Sequence, residues 1–455
     1  MTKKCIYCGS LDNLSESDII PDALTNARIL NKNVCKIEHN NKFSDLFESE
    51  VINKLAFITN SLDIKSSKGN HYPRYSAVII IDGIEYKVKY TTETELFKGK
   101  KIRSVDGKKI LGPIEDIKRI AHNDDSKVTT VDPNSLEIEK VVNINMEVFV
   151  SNSMFRLVAK IAYEWYCLLN DIKDKYSDFD EIIEFITVGN QSEIVSIIDE
   201  EAFYNLLKIQ SSHGSHNLIL YIGKDNAVYA AVSLFGIAVY KVKICDHIPS
   251  GCLINCAYYE LCTDGSCKKQ SFESLEQLCI DLQNSFQPIK CGCLTALIPV
   301  DMGDTMIITK LLLIEAANIL SRIESVTSEN DHIVKLIKKN MESILQASLL
   351  HKKSLKRFVK EHFKTFSDEI ILNPNGSNKK DLFLFYIIYL VGNSSYEEID
   401  MEKLYSLVKE KLGIQQGNEY VINEELCEKI KSLLLNDKNY SEVLHKGAKM
   451  INDWN

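Results

Sequence analysis

The sequence predicts an α+β multidomain protein: a small zinc-stapled module, an α+β middle domain built on an antiparallel sheet, and a mostly helical C-terminal region. Three observations carry this. The 455 residues exceed the roughly 250–300 at which one hydrophobic core stops growing. Cysteine and histidine stand at metal-ligand spacing close to the N-terminus. The apolar pattern then mixes strand-like and helical periods through the middle of the chain and becomes helical beyond Asp301. The expected divisions are 1–75, 76–300 and 301–455.

Taken in order, residues 1–75 are rich in Cys, Asn and turn formers. They end in DLFESEVINKLAFITNSL, where Leu46, Phe47, Val51, Ile52, Leu55 and Ile58 fit one face of a helix. Next comes SAVIIIDGIEYKVKYTT, two β-rich runs around Asp82-Gly83, which is a strong two-residue hairpin signal, with VVNINMEVFV as the expected partner strand. From Ser153 the spacing turns helical through MFRLVAKIAYEWYCLL, where Tyr163, Trp165 and Tyr166 read as core. Strands return at HNLILYIG, AVYAAVSLFGIAVYKVKI and GCLINCAYYEL. MIITKLLLIEAANILSRI, HIVKLIKKNMESILQASLLH and KDLFLFYIIYLV are helical, and KSLKRFVKEHFK is a basic amphipathic stretch that reads as a solvated face or a surface for nucleic acid or a partner helix.

Composition narrows the function. Apolar residues at 45% and charged residues at 26% are those of an ordinary soluble chain. No apolar run approaches the roughly 18–20 residues needed to span a bilayer, so no membrane partner is expected, and Met-Thr-Lys-Lys leads directly into a cysteine pair, so the expected location is cytoplasmic. Thirteen cysteines, an odd and clustered set, favour metal sites and free thiols over disulfides. A net charge of −9 excludes a uniformly basic nucleic-acid binder and requires any such contact to be a local patch, the best being Lys98, Lys100, Lys101, Arg103, Lys108 and Lys109. Phosphate-binding glycine loops and a G-x-S-x-G elbow are absent from the text.

Cys5-Ile-Tyr-Cys8 has the two-residue spacing with which a tight turn aims two thiolates at one zinc ion. Cys35 and His39 supply the second half, giving a Cys₃His structural site that lends folding free energy to a segment with little core of its own. CIYCGS, SESDIIPDALT and NKNVCKIEHNNKFSD, in that order, resemble the zinc-containing HNH endonucleases. The resemblance covers about the first 60 residues and implies a ββα-metal module, a metal-dependent endonuclease cleaving DNA, and a setting in bacterial defence against mobile DNA. It also implies one Mg²⁺ or Mn²⁺ ion at the catalytic centre. Asn33 takes the place of the Asn that fixes the active-site loop, and Asn40 that of a metal-binding residue.

Where the family carries the histidine base, this chain carries Asp18, and Ser17 replaces the acidic residue before it. A carboxylate is a weaker base than imidazole at neutral pH, but a good ligand for a hard cation. Proton abstraction would then fall to metal-bound water or to Glu16, with His71 as an alternative base. The competing expectation is a non-catalytic nucleic-acid or partner-binding protein that keeps a degenerate HNH zinc scaffold. A protein partner or a second copy is expected at the helical C-terminal region. Eight cysteines from Cys245 to Cys293 invite a second metal site but read better as small buried hydrophobes. His213 and His216 read as loop residues.

Overall fold

The computed structural model describes residues 3–65, 71–91, 101–131, 138–190, 193–284, 286–291, 294–299, 305–322, 331–363, 379–412, 422 and 424–454. It is a mixed α+β protein with a small N-terminal module, a middle antiparallel-sheet domain and a helical C-terminal region. Two compact units can be separated, neither contiguous in sequence: Met1–Leu55, Ile64–His71 and Asn145–Ile344 form one, and Ala56–Asp63, Tyr72–Ile144 and Leu345–Asn455 the other. No helix among the described residues is long and apolar enough to cross a membrane.

The first unit opens with strands β1 (Leu14–Asp18) and β2 (Leu30–Cys35), paired antiparallel. Widely wound π-helical turns, Lys36–Asn41 and Ser44–Glu48, lead into helix α1 (Ser49–Ser61). Phe47, Val51, Leu55 and Ile58 are buried as their spacing predicts, whereas Leu46 is 41% exposed and Ile52 half-buried. The π turns close i→i+5 bonds, so residues before Ser49 fall at different angles than a 3.6-residue period assumes.

Helix α2 (Asn152–Leu169) starts at an N-cap where Ser151 Oγ accepts from the Met154 N–H at 3.2 Å. Its sequence is apolar nearly all round, which belongs to a buried helix, and Met154 to Cys167 are buried apart from the half-buried Phe155. The six-stranded sheet runs in the order Cys267–Phe272, Cys256–Leu261, His216–Ile222, Val228–Leu234, Ala238–Cys245, Val195–Ile197, antiparallel throughout. Ile219, Tyr221, Ala231, Val239 and Tyr258 line one core with Phe203, Leu278 and Leu313 from three further helices. Helix α2 packs on the two strands Val228–Leu234 and Ala238–Cys245. Coverage on both faces explains why these strands read as unbroken apolar runs.

In the second unit, strands Tyr75–Ile81 and Ile84–Tyr90 pair through Ile81 and Ile84, with positive φ at both Asp82 (51°) and Gly83 (74°), the conformation a type I′ turn demands. Tyr75–Ile81 also pairs with Ile138–Val141, so of the expected VVNINMEVFV only Val141 pairs. Asn145 accepts from the Glu147 N–H and starts a 3₁₀ turn at Met146 that takes the rest of that run out of the sheet. The helices Lys352–His362, Lys379–Gly392, Met401–Leu412, Glu424–Asn436 and Tyr440–Asp453 share one core. In the basic stretch around Lys353 the apolar Leu355, Phe358 and Val359 are buried and Arg357 pairs with buried Asp63 at 3.0 Å, while Lys360 and His362 are exposed.

Two of these helices touch backbone to backbone. A Cβ on Gly447 would lie 2.0 Å from the Ile388 carbonyl oxygen, and one on Gly392 1.9 Å from that of Val443. Gly447→Ala should therefore cost about 3 kcal/mol or more in urea unfolding followed by far-UV circular dichroism. An unchanged midpoint would mean that the helices do not pack this closely.

Candidate metal centre

Four ligand atoms from three stretches of the first unit converge: the sulfurs of Cys5, Cys8 and Cys35 and a ring nitrogen of His39, all within 4.8 Å of one another. The Cys5–Cys8 turn is closed by Gly9 N–H donating to the Cys5 carbonyl at 2.8 Å, with Gly9 at φ 73°. Cys35 ends β2 and His39 follows within the first π turn, which brings both to the same side. Cys5 Sγ lies 3.6 Å from His39 Nδ1, and Cys8 Sγ lies 3.6 Å from Cys35 Sγ. A zinc tetrahedron built from bonds of about 2.3 Å to sulfur and 2.0 Å to nitrogen has edges of about 3.5–3.8 Å. The set fits a structural metal ion such as zinc.

The electrostatics agree with the geometry. Burial pushes the Cys35 thiol up to about 12, and contact with the thiols of Cys5 and Cys8 adds to the effect. Burial likewise raises Cys5, although the Cys35, Tyr7 and Cys8 N–H groups facing its sulfur pull the other way. Three thiols this close ionise together only around a cation. Burial lowers His39, favouring the neutral imidazole that ligates metal. Tyr7 stacks on the imidazole at 5.0 Å and fixes its plane.

The residues expected to be catalytic lie on the same module. Asp18 closes β1, and its Oδ1 accepts from Arg28 Nε at 2.8 Å with Arg28 Nη2 at 2.7 Å. Asn40 donates to Ser15 Oγ at 3.3 Å and to the Glu16 carbonyl at 3.0 Å, so it reaches back from the helical side to β1. Asn33 serves the scaffold. Its carbonyl accepts from Ile6 N–H, its N–H donates to Asn31 Oδ1, and its side-chain amide donates to the Ile172 carbonyl. Glu16 pairs with Lys32 at 3.2 Å, and His71 is exposed.

Sequence reasoning missed a buried charged stripe. Helix α2 carries Arg156, Lys160 and Glu164 at intervals of four, on one side of an otherwise apolar helix. Lys160 Nζ lies 2.7 Å from the Asp18 carbonyl oxygen and 2.8 Å from Glu48 Oε1. Burial alone would lower this ammonium, but the Glu164 and Glu48 carboxylates outweigh it and hold it charged. Glu164 Oε1 accepts from Tyr7 OH at 3.0 Å and Ser17 Oγ at 3.2 Å. Burial raises Glu164 to about 7, against the opposing pull of Lys160. The i, i+4, i+8 spacing was the available signal; the apolar surroundings masked it.

The weaker candidates divide. Cys245, Cys256 and Cys262 are buried, Cys252 and Cys267 half-buried and Cys279 exposed. Among the described residues, the one group of His, Cys, Asp and Glu close enough to share an ion is the N-terminal four. Cys293 lies outside the described residues, as do Lys98 and Lys100. His216 is not in a loop: it opens a strand, is buried, and its Nε2 meets the Leu24 carbonyl at 2.8 Å. Burial lowers it to about 4, so it is a neutral structural contact. Tyr163, Trp165 and Tyr166 are fully buried core. Comparison with protein-family models, curated proteins and solved structures returns no match.

Two outcomes follow from this geometry. The purified chain should carry one zinc by elemental analysis, and Cys35→Ser should lose it with loss of protease resistance in the N-terminal module; a metal-free wild type with an intact module would refute the site. Glu164 binds its proton more tightly folded than unfolded, since about 7 exceeds its ordinary 4.5. Its contribution is complete below the lower value and is lost as pH rises towards the upper one, on the order of 3 kcal/mol. Glu164→Gln should flatten that part of the stability profile, measured by urea melts at a series of pH values.

Proposed function

We propose that the chain is a metal-dependent endonuclease acting on DNA, with the N-terminal module as its catalytic part. One observation carries the reading: the module runs strand, strand, helix, with Asp18 ending the first strand and Asn40, on the helical side, held against that same strand at Glu16. A carboxylate and an amide oxygen suit a hard cation such as Mg²⁺ or Mn²⁺. When bound, such an ion polarises a phosphoryl oxygen and acidifies water. Lys160 fixes the backbone of Asp18 from beneath through its carbonyl. Glu16, exposed beside Asp18 and 3.2 Å from Lys32, is the proton acceptor in this reading. We place the activity in the cytoplasm, a reading that the free thiols among the described residues support, since they suit a reducing compartment.

The Arg28–Asp18 pair favours a second reading. A guanidinium at 2.7 Å already neutralises the carboxylate and competes with a divalent ion. A zinc-stapled scaffold that binds nucleic acid or a partner without cleaving it fits that pair directly.

A cleavage assay on plasmid and single-stranded DNA with Mg²⁺ or Mn²⁺ separates the two. For an endonuclease, Asp18→Ala and Asn40→Ala should each lose about 100-fold or more in rate while keeping zinc. Arg28→Ala should lower the Mg²⁺ concentration needed for half-maximal rate. A zinc-loaded wild type that cuts neither substrate with either metal would leave the scaffold reading.

A further inference from the structure

The hairpin of the second unit carries a charged face that the metal centre does not explain. Along Ile84–Tyr90, burial alternates: Tyr86, Val88 and Tyr90 point into the core, while Glu85, Lys87 and Lys89 are exposed. The short strand Ile102–Arg103 extends this sheet, through an antiparallel bridge between Tyr86 and Ser104 and through Val105 N–H donating to the Glu85 carbonyl at 2.8 Å. That register sets Lys87 beside Arg103 on the solvent face, with Ile102 and Ser104 turned inward. Lys89 lies across from Ser76, and its Nζ donates to Ser76 Oγ at 2.9 Å. Val78 and Ile80 continue the face as half-buried neighbours, and Val141 on the adjoining strand is 45% exposed.

Like charges placed side by side on neighbouring strands repel and cost stability. Among the described residues, no carboxylate pairs with Lys87, Lys89 or Arg103. Glu85 stands at the turn end, and Asp106 is held by Ser104 Oγ and the Lys108 N–H. In a chain of net charge −9, a cationic strip on an exposed sheet face calls for an external anion that is extended and repeats its charge. We propose that this face binds the phosphate backbone of a nucleic acid through Lys87, Lys89 and Arg103. The reading rests on the proposed action on nucleic acid, yet it needs no cleavage and holds equally for a non-cutting scaffold.

The test is fluorescence anisotropy of the full chain with a labelled DNA duplex and a labelled single strand, over a salt series and without added Mg²⁺ or Mn²⁺. Lys87→Gln/Lys89→Gln/Arg103→Gln should weaken binding about tenfold or more and reduce the salt slope by about three for duplex, one for each lost phosphate contact. Lys409→Gln/Lys449→Gln, exposed lysines elsewhere in the same unit, should leave both unchanged. Circular dichroism of each variant guards against misfolding. Equal binding by the triple variant, or no binding by wild type, would overturn the proposal. So would a triple variant that loses phosphatidylserine vesicles but keeps DNA, which would reassign the face to a membrane surface. Loss of DNA binding in the triple variant with a wild type that cannot cut would uphold this face and remove the endonuclease; the reverse pattern would do the opposite.

Discussion

A charged stripe on a buried helix anchors the first unit. Arg156, Lys160 and Glu164 leave one side of α2 and each meets a different part of the fold. Arg156 donates to the Ile186 and Thr187 carbonyls, the free end of the helix Asp180–Val188, and lies over the Phe47 ring at 4.9 Å. Lys160 holds the end of β1 and Glu48. Glu164 receives Tyr7 and Ser17. Charges this deep are tolerable only when paired and hydrogen-bonded, so every partner must be in place at once. The zinc-type knuckle, the strand pair and the long helix are thereby made to fold as one body.

The metal centre and this stripe depend on each other through Tyr7. Its ring stacks on His39, and its hydroxyl reaches Glu164. Cys5 and Cys8 cannot take up their turn without placing Tyr7 between them at the interface with α2, where Tyr163 OH also donates to the Ile6 carbonyl at 2.7 Å. Buried polar contacts of this kind specify one docking geometry where apolar packing alone would allow several. The same contacts set the position of Asp18, because Lys160 grips its backbone while Arg28 grips its side chain. The carboxylate is thus already engaged by a fixed guanidinium.

Much of this was legible. The four ligands are written in the spacing of Cys5, Cys8, Cys35 and His39, the hairpin in Asp82-Gly83, and the buried helix in its unbroken apolar text. The departures share a cause, which is that local periodicity does not report on partners. Leu46 was misplaced because π turns shift the angular period. Most of VVNINMEVFV left the sheet because Asn145 caps a new turn. His216 read as a loop residue because its neighbours are Ser and Gly, but it pairs with the distant Leu261 and so opens a strand.

By itself the sequence determined the set of candidate ligands, the helix that closes the first module, and the division between sheet-rich and helical text, since each depends on residues close together in the chain. Only the tertiary structure decided what the charged residues do. Asp18 and Glu48 stand far along the chain from Lys160 and Glu164, and the contacts between them come into being only when the module closes onto α2 and water is excluded. The sequence shows which charges exist, but the field each one feels belongs to the folded packing around it.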